Sequence, residues 1–209
     1  KTRNKSGKKH KKAVIGVKEI DANGVLTIPE GTTEITVMQY ENNNDITSII
    51  FPASLKSIGD DAFHSCSALT SVIIPDGVTY IGNGSFSNCT SLKELVLPNS
   101  ITTIEDGAFA DCTSLEKIVI PDGVTSIGEY SFYYCTSLKE VVLPAELTTV
   151  DVGAFNGCRT LKSVDIPDSV TYIGSFSFYK CTSLKELVLP DSLTTINHHA
   201  FSNCISLKE

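Results

Sequence analysis

Tryptophan is absent from the 209 residues and methionine occurs once. A single methionine argues against a soft, promiscuous groove, which draws its adaptability from several thioether side chains. No stretch approaches the ~18–20 continuous apolar residues that a membrane span needs, so no transmembrane segment is expected. The first residues also lack the apolar core of a secretion signal; the expectation is that any such signal has been removed or never existed. Tight C-x-x-C pairs, which zinc sites favour, are missing. So is a glycine-rich phosphate loop, because the glycines stand singly. Serines and threonines recur at fixed positions without a nucleophile–base constellation. These absences predict a protein that is not an enzyme and holds no cofactor.

Positive charge is scarce except at one end. Residues 1–12, "KTRNKSGKKHKK", hold seven of the 17 Lys and Arg and no acid, which leaves ten bases against 24 acids over the rest. A basic run of this kind can touch nucleic acid, anionic lipid or polysaccharide. At a terminus it reads as a solvated tail or a junction. The acidic body argues against nucleic acid as a partner of the domain itself.

What the chain does have is repetition. "CTSLKELVLP" stands at residues 89–98 and again at 181–190, with "CTSLKEVVLP" at 135–144 between them. All seven cysteines, from Cys66 to Cys204, recur every 23 residues, as do all eight prolines from Pro29 to Pro190. Phenylalanines keep the same interval from Phe63 to Phe201. Residues 29–51 also fit, with Tyr40 in the Phe slot and Asn43 in the Cys slot. The reading is eight 23-residue coils over 29–209, the last one incomplete. A longer period overlies this one: coils with "IPD[GS]VTxIG…SF" alternate with coils of the "LPx[SE][LI]TT[IV]…AF" type, so the duplicated unit is a pair.

A 23-residue unit cannot bury a core alone, so it stacks on its neighbours. In "LKELVL" the apolar positions alternate as in a short strand with one buried face. Proline, lacking an amide, ends that strand. A second short extended stretch is expected at "VTYI" and "LTTI", and a compact 3₁₀ or single helical turn at "SFSNC". The Phe residues form a stacked spine between the two sides. Residues 13–28 read as a capping hairpin around Asn23-Gly24, while "SLKE" at the other end reads as an uncapped strand of a longer protein.

Strings such as "LEKIVIPDGVTSIGEYSFYYCTS", 115–137, resemble the BspA-like class of leucine-rich repeats found on bacterial surface antigens and some protozoan surface proteins. The resemblance implies a right-handed leucine-rich repeat solenoid. Its "LxxLxL" strands would make a parallel β-sheet on the concave side, with short strands and 3₁₀ or short helical turns elsewhere. It also implies an extracellular or cell-surface location and a role in adhesion.

The seven cysteines read as buried free thiols, because stacked parallel side chains point alike and an odd count leaves one unpaired. His198 and His199 are adjacent, cannot share a strand face, and lack a third ligand in register, so no metal is expected. Asn4-Lys5-Ser6, Asn83-Gly84-Ser85 and Asn88-Cys89-Thr90 match the glycosylation acceptor pattern, which matters only in a eukaryotic secretory setting.

Recognition has to use positions that vary between coils. One strand row reads Ser71, Glu94, Lys117, Glu140, Ser163, Glu186, and its neighbour reads Ile73, Val96, Val119, Val142, Asp165, Val188. The candidate concave site is Glu94, Val96, Lys117, Val119, Glu140 and Val142. Such a stripe is either a binding face or the ordinary preference of β-branched residues for strands. An alternative aromatic patch is Tyr130, Tyr133 and Tyr134 with Phe176 and Tyr179 two coils on. Inter-coil packing is the competing account of that patch. The expected function is non-catalytic binding of a macromolecular partner, protein or glycan, at a surface. The alternatives are a passive structural spacer in a larger protein, or an intracellular scaffold, since free thiols suit reducing conditions.

Overall fold

The computed structural model describes residues 20–208, so the basic run and the first arm of the expected hairpin lie outside the described residues. Sixteen short strands follow one another. The first eight are β1 (Val25–Thr27), β2 (Glu34–Ile35), β3 (Ser48–Ile50), β4 (Ser57–Ile58), β5 (Ser71–Ile73), β6 (Tyr80–Ile81), β7 (Glu94–Val96) and β8 (Thr103–Ile104). The rest are β9 (Lys117–Val119), β10 (Ser126–Ile127), β11 (Glu140–Val142), β12 (Thr149–Val150), β13 (Ser163–Asp165), β14 (Tyr172–Ile173), β15 (Glu186–Val188) and β16 (Thr195–Ile196). Odd-numbered strands line the concave side and even-numbered strands a second side. Every pairing is parallel and joins a residue to its counterpart one coil on, as Val25 with Ser48 and Val72 with Leu95. The chain is a solenoid of stacked coils with parallel ladders.

The Asn23-Gly24 turn is present. Asp21 Oδ1 accepts the amides of Asn23 and Val25, and Gly24 takes φ 81°, which a side chain would strain. The strand after it, β1, is the first member of the long-strand side and pairs with β3.

Apolar positions two apart explain the strands: Leu95, Ile118 and Val164 are buried while their neighbours are exposed. The ladder on this side has the period of the coil pair. β1–β3, β5–β7, β9–β11 and β13–β15 are joined over all three residues. β3 and β5 are joined only at Ser48 and Ser71, and neither β7–β9 nor β11–β13 is joined at all. Ile28, Ile74 and Ile120 extend three complete ladders by donating to the next coil at 3.0 Å each. Phe51, Leu97 and Leu143, which precede proline in the alternate coils, donate to no backbone carbonyl among the described residues.

Between the two sides runs the aromatic column. Tyr40, Phe63, Phe86, Phe109, Phe132, Phe155, Phe178 and Phe201 stack in order, with centroids 5.1–5.8 Å apart. Six of the phenylalanines are wholly buried. Each cysteine Sγ lies buried against the column and donates to the carbonyl 26 residues earlier, as Cys112 does to Phe86 at 3.4 Å. Burial pushes every one of these thiols up, Cys66 to about 11.

The compact segment around each Phe is a chain of i→i+3 turns instead of a 3₁₀ helix. Two residues per coil there take a left-handed backbone, for example Asp61 and Ser65, or Tyr130 and Tyr134. The reason is directional. These residues and the Phe between them aim their amides along the axis, so Asp61, Phe63 and Ser65 donate to Asn83, Ser85 and Ser87 of the next coil. A regular helix would keep those donors for itself.

Candidate functional site

The concave candidates lie where alternation places them. Glu94, Val96, Lys117, Val119, Glu140 and Val142 all face solvent, with the valines 45%, 52% and 42% exposed in that order. Ile50, Ile73 and Val188 continue the apolar row, and Asp165 interrupts it. Beside it, charges are cross-linked between coils: Lys117 Nζ meets Glu140 Oε1 at 2.7 Å, and Lys139 Nζ meets Glu116 Oε2 at 2.7 Å. Both pairs are more than half exposed, so they fix orientation more than they stabilise. Their cause is in the sequence, where Glu116-Lys117 inverts the Lys-Glu order of the coils on either side, Lys93-Glu94 and Lys139-Glu140.

The interrupted ladder between β7 and β9 opens a groove of about 400 Å³. Glu94, Val96, Lys117 and Val119 line it, with Leu95 and Leu97 at its apolar floor. Four of the six concave candidates therefore share one cleft. Glu140 and Val142 stand one coil further along on β11. Asn99 and Pro121 also border the groove, and the sequence reading did not single them out. The missing amide-to-carbonyl bond at Leu97 is invisible to a repeat motif, because Leu97 sits in a strand end like any other.

The aromatic candidates form two groups. Tyr133 packs edge-on to Tyr130 at 5.6 Å and tilted on Tyr134 at 4.5 Å, while Phe176 packs edge-on to Tyr179 at 5.5 Å. Part of this is inter-coil packing. The Tyr130 ring covers Gly153, and a Cβ on Gly157 would stand 2.7 Å from Cδ2 of Tyr134. Phe176 stacks on His199 of the following coil at 5.2 Å. Arg159 lies over the Tyr134 ring at 5.6 Å and Lys180 over Tyr179 at 5.1 Å. Tyr130, Tyr134, Phe176 and Lys180 all have φ between 54° and 59°. A bulky side chain in that region costs on the order of 1–3 kcal/mol, whereas most other coils place Gly, Asn, Asp or Ser there. Propensity gives no warning of these four residues.

No group of three or more His, Cys, Asp or Glu gathers among the described residues. His199 Nδ1 lies 3.1 Å from the Ser202 hydroxyl, and His198 offers only its carbonyl, to the Phe176 amide. No helix of the described residues is long and apolar enough to cross a membrane.

Comparison with known proteins agrees with this geometry. A model of the BspA-type leucine-rich repeat region matches residues 23–125 and 102–209. No curated protein sequence matches the chain. A leucine-rich repeat protein of Bacteroides ovatus is similar in structure at 32% identity and a TM-score of 0.72, covering 84% of this chain. This chain spans 54% of that one, so about half its length. The T. pallidum leucine-rich repeat protein is similar at 29% identity and a TM-score of 0.75, covering 78% of this chain and 79% of its own. A leucine-rich cell surface protein of Faecalibacterium prausnitzii is similar at 29% identity and a TM-score of 0.58, covering 88% and 58%.

Proposed function

The chain belongs to the BspA-type leucine-rich repeat family, and from that premise we propose that it is a non-catalytic, surface-displayed binding or adhesion module. Its partner is a protein or a glycan, engaged on the concave stripe of Glu94, Val96, Lys117, Val119, Glu140 and Val142. The observation that carries this reading is the groove at the β7–β9 junction, where exposed valines and mixed charge flank an apolar floor. A cleft of that volume is within the range that holds a ligand or an anchoring side chain. Extended concave surfaces are what solenoids offer to large partners. The surface location is supported by the F. prausnitzii neighbour, which is described as a cell surface protein.

The test begins with a partner found on arrays of immobilised proteins and glycans. Val119→Lys with Val142→Lys abolishes that binding while leaving the fold intact, because both side chains point outward. Loss from Tyr133→Ala with Tyr134→Ala instead moves the site to the aromatic flank. If neither pair changes a measured affinity, a passive spacer takes the place of a binding module.

A further inference from the structure

We propose that the flank formed by Tyr133, Tyr134, Asn156, Arg159, Tyr179 and Lys180 is a second recognition site, and that its ligand is an anionic glycan. The site is separate from the concave stripe.

Charge comes first. Arg159 and Lys180 lie on tyrosine rings, and neither has a carboxylate within ion-pair distance among the described residues. Lys162 and Lys185 follow in the same two coils, stacked through a 3.0 Å bond from the Lys185 amide to the Lys162 carbonyl, and they too lack a carboxylate partner there. Acids outnumber bases 24 to 17 in the whole chain, and seven of the bases sit in residues 1–12. Residues 156–185 hold four bases against two acids, Asp165 and Asp168, a local excess of positive charge on an acidic body. Arg159, lying over the Tyr134 ring at 5.6 Å, keeps a planar fork of donors available for a carboxylate or sulfate.

Shape decides between anions. Tyr133, Asn156 and Tyr179 occupy the same position in three successive coils, so the two tyrosines stand ~10 Å apart, two strand spacings, with Asn156 between them. Asn156 Oδ1 is buried and has no hydrogen-bond partner. Buried as it is, that oxygen is out of a ligand's reach; what Asn156 offers is its small size, which leaves a step between the two larger tyrosine side chains. The tyrosines supply apolar ring faces beside polar hydroxyl edges. A polyanion without ring-shaped apolar faces, such as polyphosphate or polyglutamate, would use the cations and leave the two tyrosine faces unused, whereas sugar rings pack on them. Asp111, one coil before Tyr133, is the carboxylate a ligand has to avoid, and Arg159 and Lys180 lie on the opposite side of Tyr133 along the axis.

Bulky residues at left-handed positions add to this. Tyr134 and Lys180 occupy backbone that Gly157 and Asn203 hold in the neighbouring coils. Tyr134 also packs against Gly157 of the next coil, and in doing so it holds the ring on which Arg159 lies.

The experiment measures affinity of the full chain for polygalacturonate and heparin, with dextran, polyphosphate and polyglutamate as comparators at fixed ionic strength. The expected result is that polygalacturonate or heparin binds at least about tenfold more tightly than all three comparators, a difference on the scale of a desolvated cation–aromatic contact. Tyr133→Ser with Tyr179→Ser, and separately Arg159→Gln with Lys180→Gln, each remove that excess. The tyrosine pair is expected to leave polyphosphate binding unchanged. Equal binding of polyphosphate or polyglutamate that the tyrosine pair does not change overturns the proposal in favour of plain charge attraction. So does failure of the unaltered chain to bind either glycan. Loss of glycan binding from Val119→Lys with Val142→Lys, but not from the flank variants, assigns the ligand to the concave groove and sinks this second site alone.

Discussion

The Phe and Cys of each coil do different physical work although both are buried. Phe109 stacks between Phe86 and Phe132 and has no exposed surface. Phe109→Ala is expected to destabilise by ~3–5 kcal/mol through lost burial and the cavity left behind; a loss under about 1 kcal/mol in urea unfolding would show that the column is not what holds the coils. Cys112 instead fills a small site and satisfies a carbonyl of the previous coil. Burial raises its thiol well above the usual value, while in the unfolded chain it titrates near 8.5. The folded form therefore binds the proton more tightly. Stability is full below about pH 8.5 and falls as pH rises above it, by at most about 1.4 kcal/mol per pH unit per thiol. The Tm should drop between pH 8.5 and 10, and Cys112→Ala should reduce that drop by one thiol's share. A Tm that is flat over this range would mean that the thiols are not held protonated by burial.

At the scale of strands, the pattern in the sequence carried far. Alternation in "LKELVL" and the proline after it placed the long strands at residues such as 94–96 and 117–119, where they are found. The exposed valine row followed from the same alternation. The two-coil period was legible too, and it reappears as complete ladders within pairs and gaps between them. The groove was not legible, since it depends on where the ladder fails: β3 and β5 keep one bridge between pairs while β7 and β9 keep none, although all are strands of the same repeat. The left-handed Tyr130 and Phe176 could not be read either, because tertiary hydrogen bonding overrides their local preference. The ladder gap makes its own forecast. Leu97 lacks the bond to the next coil that Ile74 and Ile120 make, so its amide should exchange on the order of tenfold faster or more. Equal protection at the three positions would show that the gap is closed in solution.

For the whole molecule one junction stands apart. Between the coil bearing β6 and β7 and the coil bearing β8 and β9, both sides lose their ladders. The aromatic column is also at its widest there, 5.8 Å between Phe86 and Phe109. What crosses the junction is chiefly the turn segment, where Gly84, Phe86 and Asn88 donate to Asp106, Ala108 and Ala110 at 2.7–2.9 Å. In a stacked-repeat protein the stability of the array is close to a sum of coil terms and nearest-neighbour interfaces. The weakest interface is then where cooperativity divides. Urea should unfold the chain in two steps, one block ending near Leu97 and the other beginning near Pro98, with protection lost from one side of the junction before the other. Restoring contact makes the converse prediction: a partner seated in the groove touches both Val96 and Val119, couples the two blocks, and should merge the two steps into one as its concentration passes the Kd. A single transition without any partner, with exchange lost uniformly from Ile74 to Ile120, would show instead that the turn bonds and the spine suffice to hold the two blocks together.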